Sequence, residues 1–373
     1  MNNKFENVAY YGGFFNPIHK DHIRIIKKLF YKYKFKKIFV VLSKNNHLKQ
    51  QKFNISDYTR LKMLKIALKK FKFVKIITLE IENKKEFSFT FETLNQLTKQ
   101  YYFYKFHIVV GQDHILNLEK WKNFNYLSKF KFLIIKRNNV DNINFKSINS
   151  NLKYKLLDLK LKNFNSSQIR NGQNILGLPK KILNFINKNN LYLKNRLNFY
   201  LQNDSIRILH CYLVANQALK IAFKYHLNNL KTQQLYLAAI LHDITKNLSY
   251  QNHINLILGY KPKMKNEPKK TLHAYSGAAL TKKLKYPQSV INAIYKHTCG
   301  AKKMNFFEKI IFVADKTSSD RNYENISYFR NLSFQDLNLA FKELLIRQYK
   351  FAQAKNKDIG FQIKKSYQYW IKK

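Results

Sequence analysis

At 373 residues the chain is too long for one ordinary hydrophobic core, and its 45% hydrophobic and 15% aromatic content excludes a disordered, solvated polymer. A net charge of +48 invites nucleic acid or a lipid surface as a partner. The lysines, however, run along the whole length together with an excess of Asn, Ile, Phe and Tyr, the joint bias of an A+T-rich genome, and charge so dispersed marks a solvated face rather than a binding arm.

The first strand candidate, Asn7–Tyr11, begins almost at once, and no stretch approaches about 18 uncharged apolar residues. The two cysteines, Cys211 and Cys299, support neither a disulfide framework nor a thiolate metal site. A cytoplasmic protein is expected, with no specific nucleic-acid partner and no membrane partner.

Asn7–Tyr11, Lys37–Leu42, Val74–Leu79, His107–Val110 and Phe130–Ile135 read as short β-rich runs. Ile18–Tyr33, Ser56–Lys70 and Thr90–Tyr101 between them carry helical spacing, with Ser56 as a predicted N-cap. This alternation predicts a parallel α/β sheet. Directly after the first strand stands Gly12-Gly13-Phe14-Phe15-Asn16-Pro17-Ile18-His19-Lys20-Asp21-His22, then a helix. Strand, glycine pair and helix start form a phosphate-binding order, because absent side chains let a polyphosphate approach backbone N–H groups and the helix dipole. His19 and His22, one helical turn apart, can both face that phosphate.

The segment resembles the Gly-x-Phe-Asp-Pro-x-His-x-Gly-His signature of the nucleotidyltransferase superfamily, and further blocks resemble nicotinate-nucleotide adenylyltransferases. These are Asn46-His47-Leu48-Lys49, Arg60 with Met63-Leu64, Ser88 to Leu94, Gly111-Gln112-Asp113 with Trp121, and Asn165 to Arg170. They come in the family's order, over residues 6 to about 192, and imply a Rossmann-like nucleotidyltransferase domain. The sequence departs from the signature twice: Asn16 stands for Asp, and Asp21 stands for Gly, with its carboxylate expected to point outward from the helix.

The attacking mononucleotide phosphate is already ionised at neutral pH, so positioning and charge neutralisation do most of the work. His19, His22, Lys49 and Arg170 are assigned to the ATP phosphates, with Gly12, Gly13 and Phe14 in the phosphate loop. Ser166 and Ser167 open a helix beside them, and Mg²⁺ accompanies ATP. The resemblance places Lys49, Thr90 and Trp121 on nicotinate mononucleotide. Gly111 and Asp113 lie at a strand's carboxyl end on the nucleotide side. His47, His107 and His114 are read as non-functional.

From about Asp204 the β-rich runs give way to helical patterns, Ile206–Tyr225, Thr232–Thr245, Gln288–Lys296 and Phe306–Lys316 among them. An all-α domain is expected over 196–373, after a nucleotidyltransferase domain over 1–195, with 334–373 an amphipathic helix of no assigned chemistry. His210, His242-Asp243, His273, His297 and Asp315 are too scattered for a local metal motif, but a helix bundle can bring them to one centre.

Leu241 to Lys246, His273 to Ala278, Ala293 to Gly300 and Glu308 to Lys316 resemble HD-domain phosphohydrolases, and more closely the branch cleaving diadenosine tetraphosphate symmetrically. That resemblance implies an HD helical bundle. It puts His210, His242, Asp243 and Asp315 on one divalent metal and His273 and His297 on another, with Asp243 bridging and Lys246 reaching a substrate phosphate.

A thiolate-free donor set suits Fe, Mn or Zn, and the resemblance favours iron. Arg321 and Arg330 follow Asp315 as in the family. The family's Glu-Pro is here Ser319-Asp320, a change expected to bear on substrate grip rather than metal. His226 and His253 read as surface residues. The competing readings are a phosphopantetheine or cytidylyl transferase with a general HD nucleotidase, and a basic nucleic-acid-associated protein.

Overall fold

The computed structural model describes residues 5–44, 55–83, 88–136, 152–354 and 359–372. The chain divides into two units, Met1–Leu191 and Tyr192–Lys373. The first contains strands β1 (Glu6–Gly13), β2 (Lys37–Leu42), β3 (Val74–Ile77), β4 (Tyr104–Gly111), β5 (Lys131–Ile135) and β6 (Tyr154–Leu157). Among and after them run helices α1 (Lys20–Tyr31), α2 (Asp57–Leu68), α3 (Leu79–Glu82), α4 (Thr90–Gln100), α5 (Phe124–Leu127), α6 (Ser166–Arg170) and α7 (Lys180–Lys188).

The strands form a six-stranded, all-parallel sheet in the order β3-β2-β1-β4-β5-β6. Ile38 to Leu42 of β2 are wholly buried, which is why this strand reads as an unbroken apolar run: a parallel sheet is covered on both faces. Strand order reverses between β1 and β4, so their carboxyl ends flank the crevice where open α/β sheets bind ligands.

Ser56 caps α2 as predicted, accepting the Thr59 N–H at 3.2 Å. β3 is shorter than expected, because the chain leaves it at Thr78 and turns into α3. β6 was not among the expected strands. It is an edge strand whose Tyr154, Lys155 and Leu156 are exposed, leaving Leu157 as its buried apolar residue. His107, read as non-functional, is a core group: its Nε2 is 2.8 Å from Asn7 Oδ1, and burial beside Lys105 and Lys131 lowers its pKa to about 4.

The second unit is helical throughout its described residues. It contains α8 (Leu193–Tyr200), α9 (Ser205–Lys224), α10 (Asn229–Leu241), α11 (Tyr250–Leu258), α12 (Leu272–Lys283), α13 (Gln288–Lys296), α14 (Phe306–Thr317), α15 (Ile326–Gln335), α16 (Leu337–Ala354) and α17 (Phe361–Trp370). The expected boundary at residue 195 would fall inside α8. In α12 every residue from Leu272 to Thr281 is buried, and in α14 so is every residue from Glu308 to Ala314. Helices buried on all sides form the centre of a bundle, and side chains projecting from their ends are held rigidly.

The tail is two helices rather than one. Gln348 of α16 and Gln362 of α17 donate to the Thr298 and Gly300 carbonyls at 2.9 and 3.2 Å, and Trp370 Nε1 donates to the Ala301 carbonyl at 2.8 Å. They brace the turn that follows His297. No helix of the described residues is long and apolar enough to cross a membrane.

Two candidate active sites

At the carboxyl end of β1 the chain turns through Gly12 and Gly13. A Cβ on Gly13 would come 2.9 Å from the Phe15 ring, so glycine permits the close return of the loop. His19 occupies the N-cap of α1, and His22 Nδ1 accepts the His19 backbone N–H at 3.2 Å, with the two rings stacked 3.6 Å apart. This reciprocal cap fixes both imidazoles on one turn. Because Nδ1 of His22 accepts, the proton of its neutral ring belongs on Nε2, which makes that atom a donor.

Far-off segments hold this loop in place. Arg170 of α6 donates to the Asn16 carbonyl at 2.8 Å, and Ser166 Oγ donates to the Pro17 carbonyl at 3.2 Å. Ser167 is exposed, and its backbone N–H donates to Asn165 Oδ1 at 2.7 Å. The structure therefore brings His19, His22, Ser166 and Arg170 together.

Arg60 was quoted in the sequence only as part of a helical block. Fully buried, it donates to the Phe14 and Ser43 carbonyls at 2.6 and 2.9 Å, pairs with Asp57 at 2.6 Å and stacks on the Phe14 ring at 3.8 Å. It ties the phosphate loop to the end of β2. Its helical phase with Met63, Leu64 and Leu68 was the available signal.

Asp21 corrects an expectation. It does not point outward but is buried, its carboxylate accepting the Lys162 and Phe164 backbone N–H groups at 3.2 and 2.9 Å while pairing with Arg24 at 3.1 Å. Its charge holds the loop that leads into α6.

At the end of β4, the Asp113 carboxylate folds back over Gly111, whose missing side chain leaves it room. Asp113 is exposed. Trp121 is partly buried against the core cluster of this sheet face, with His114 edge-on at 6.4 Å. Thr90, half-buried, is the first residue of α4. Lys49 and its Asn46-His47-Leu48 neighbours lie outside the described residues.

The second unit assembles all six expected metal-site residues at one centre. His210 comes from α9, His242 and Asp243 from the end of α10, His273 from α12, His297 from the end of α13 and Asp315 from α14. Ligand atoms of His210, His242 and Asp315 lie within 4.8 Å of one another, as do those of His242, Asp243 and His297. Asp243 Oδ1 is 3.1 Å from His273 Nε2 and 3.7 Å from His297 Nε2, while its Oδ2 is 3.7 Å from His242 Nε2. One carboxylate thus faces two sets of imidazoles.

Ring orientation suits metal ligation. His242 and His297 donate Nδ1–H to the Ala239 and Ile294 carbonyls, each at 2.6 Å, which turns both Nε2 atoms inward. His242 Nε2 is fully buried with no hydrogen-bond partner among the described residues, a lone pair aimed into a cage of carboxylates. Burial lowers the pKa of His242 to about 3 and of His273 to about 4, so both imidazoles are neutral at physiological pH. Burial works against ionising Asp243 and Asp315, yet hydrogen bonds from His273 and His297 to Asp243, and from His210 to Asp315 with Lys316 and Arg321 beside it, hold both carboxyls well below the usual range. Neutral imidazoles and ionised carboxylates are the donor set a divalent cation requires.

Basic side chains ring the cluster. Arg207 Nη1 is 3.0 Å and Lys246 Nζ 3.8 Å from Asp243, and Lys316 Nζ is 3.6 Å from Asp315, to which Arg321 also pairs. Arg207 was missed, although it precedes His210 by one helical turn and so shares its face. Arg330 instead donates to the Thr317, Ser318 and Arg321 carbonyls at 3.1, 2.9 and 2.8 Å, fixing the turn rather than facing the centre.

Two further expectations change. His253 is no surface residue: it is buried, with Nδ1 2.7 Å from Ser276 Oγ. Ser276 meets Thr245, whose hydroxyl donates to the His273 carbonyl at 2.9 Å, so the chain of hydroxyls steadies a ligand residue. Asp320 touches the metal side rather than a substrate: its Oδ2 accepts His210 Nδ1–H at 2.7 Å. Carboxylates that orient ligating histidines typically contribute about 10- to 100-fold in metal affinity. Asp320→Ala is therefore expected to weaken Mn²⁺ binding to the metal-stripped protein by that factor, read by calorimetric titration; an unchanged affinity would reject the role.

The two folds and their clusters define a class: a nucleotidyltransferase joined to an HD-type metal-dependent hydrolase. Residues 10–172 match the cytidylyltransferase-like family model and residues 207–320 the HD domain model. The chain belongs to the family of fused nicotinate-nucleotide adenylyltransferase/Ap4A hydrolases. It is 30% identical over 326 residues to a Mycoplasma genitalium protein named "Probable nicotinate-nucleotide adenylyltransferase/Ap4A hydrolase", covering 86% of this chain and 90% of the relative. A Mycoplasma pneumoniae protein of the same name is 28% identical over 344 residues, 89% of this chain and 96% of the relative. A "Probable nicotinate-nucleotide adenylyltransferase" of Endomicrobium trichonymphae is 32% identical over 197 residues, 50% of this chain and 98% of the relative.

Proposed function

We propose that the first unit transfers AMP from ATP to nicotinate mononucleotide, releasing pyrophosphate, and that the second hydrolyses dinucleoside polyphosphate, diadenosine tetraphosphate to ADP. The observation that carries the first half is the docking of Arg170 and Ser166 onto the loop that bears His19 and His22, at the switch point of the sheet. ATP phosphates lie along Gly12, Gly13 and Phe14, with His19, His22, Lys49 and Arg170 neutralising charge as it moves to the leaving pyrophosphate and Mg²⁺ accompanying the nucleotide. Trp121 and Thr90 hold the pyridine ring, and Gly111 with Asp113 the nucleoside side. No general base is called for, since the nucleophile is ionised; the residues position and stabilise.

In the second unit His210, His242, Asp243 and Asp315 would hold one divalent cation and His273 and His297 the other, with Asp243 shared. Two such ions, when bound, polarise a water and offset phosphate charge. Arg207, Lys246 and Arg321 grip the polyphosphate from around the carboxylates. We favour iron, with Mn or Zn also compatible with the donor set. The two buried free thiols, Cys211 and Cys299, suit a reducing cytoplasmic setting.

Incubating the protein with ATP, Mg²⁺ and nicotinate mononucleotide should yield the dinucleotide and an equal amount of pyrophosphate. Incubation with diadenosine tetraphosphate and Fe²⁺ or Mn²⁺ should yield ADP alone. AMP and ATP as products, or no dinucleotide, would overturn the corresponding half.

A further inference from the structure

The first unit buries a carboxylate that the transfer chemistry does not use. Glu80 of α3 is 5% exposed. Its Oε1 accepts the Tyr10 and Thr93 hydroxyls, each at 3.2 Å, and its Oε2 accepts the Ser88 hydroxyl at 2.8 Å. The Lys44 backbone N–H also donates to it. A carboxylate taken out of water is costly unless its lone pairs are satisfied, and an apolar side chain of the same size would avoid that cost. What the charge achieves here is to gather three separate stretches of chain on one group.

Those stretches surround the transfer site. Tyr10 lies on β1 two residues before Gly12, and a Cβ on Gly12 would come 3.2 Å from its ring, so Tyr10 floors the phosphate loop. Lys44 follows β2, and its Nζ donates to the Asn83 carbonyl just beyond α3 at 2.8 Å. Ser88 and Thr93 bracket Thr90, the first residue of α4.

The two sides are not equally well held without Glu80. β1 is pinned between β2 and β4 along its length. The cap position of α4 is Phe89, a side chain with no oxygen to satisfy the first-turn N–H groups. The ties of that turn to β1 are the pair of hydroxyls on Glu80 and the Thr90 hydroxyl on Tyr10, whose own hydroxyl Glu80 accepts.

We propose that Glu80 is a positioning residue for the mononucleotide: it fixes the first turn of α4, and with it Thr90, against the strand that carries the phosphate loop. This rests on the assignment of the first unit to adenylyl transfer. Loss of the carboxylate removes the Ser88 and Thr93 ties and the acceptor that orients the Tyr10 hydroxyl toward Thr90, while β1 stays in register, so the mononucleotide side loosens and the ATP side stays formed. The group acts through geometry and touches no reacting atom.

The test is the steady-state kinetics of Glu80→Leu, Glu80→Gln and Ser88→Ala in the full chain, with each substrate varied at saturation of the other. Glu80→Leu is expected to raise KM for nicotinate mononucleotide roughly 10-fold or more while KM for ATP stays within about twofold. Glu80→Gln keeps one acceptor oxygen and the side-chain volume, and should fall between Leu and wild type. Ser88→Ala removes one of the hydroxyls without unburying the charge and should raise the same KM severalfold, which keeps the proposal testable if the Leu variant does not fold. Equal rises in both KM values, or folded Gln and Ala variants identical to an active wild type, overturn the role of Glu80 alone. A wild-type protein that makes no dinucleotide overturns the transfer assignment and the proposal with it.

Discussion

His22→Ala is expected to lower kcat for dinucleotide synthesis by about 100- to 1,000-fold, the usual cost of removing one preorganised donor to developing charge. The geometry adds a complication that must be separated from the chemistry. His22 Nδ1 accepts the His19 backbone N–H at 3.2 Å, so the alanine variant also loses half of a reciprocal helix cap, typically about 1 kcal/mol. It would let the His19 ring, stacked at 3.6 Å on its neighbour, swing away. His22→Gln separates the two effects, since a glutamine at that position can accept the same N–H but carries no imidazole. If the ring acts on phosphate, both variants lose activity by a similar factor while Gln restores the thermal midpoint. If the ring only caps, Gln restores both, and activity within twofold of wild type in either variant would remove His22 from the phosphate site.

The legible and illegible parts of this protein divide along physical lines. Strands such as β2 are wholly buried in a parallel sheet, and only an unbroken apolar run can occupy such a place, so they read directly. β6 sits at the sheet edge with exposed Lys155 and Leu156, and nothing in its pattern separates it from loop. His242, His273 and His297 were legible because each comes with its own flanking motif, whereas His210 was placed only by the resemblance.

The groups that hold a site together were not, because their partners are remote in sequence. Asp21 reaches the backbone of Lys162 and Phe164, Glu80 reaches Tyr10, and Asp320 reaches His210. A charged residue beside a motif looks like a perturbation until the fold supplies its partner. Arg207 is the intermediate case: its helical phase with His210 was readable, but its approach to Asp243 depends on how α9 packs on α10.

Asp243→Ala is expected to reduce metal affinity at least about 100-fold and abolish hydrolysis of diadenosine tetraphosphate, because one side chain serves both sets of ligands. Its Oδ1 faces His273 and His297 and its Oδ2 faces His242, so neither set is complete without it. The same substitution leaves Arg207 and Lys246, both partly exposed, without their shared counter-charge, so the second unit should also melt earlier, by less than the loss of a fully buried ion pair would cause.

Asp243→Asn, which keeps the volume and one carbonyl acceptor, distinguishes lost coordination from lost stability: it too should fail to retain metal, with a smaller drop in melting temperature. Adenylyl transfer should stay within twofold of wild type in both variants, since every described residue assigned to it, from Gly12 to Arg170, belongs to Met1–Leu191. Full metal content with normal hydrolysis in the Asn variant would refute the shared-ligand assignment. Loss of both activities in a folded variant would refute the independence of the two sites and point to coupling between the units.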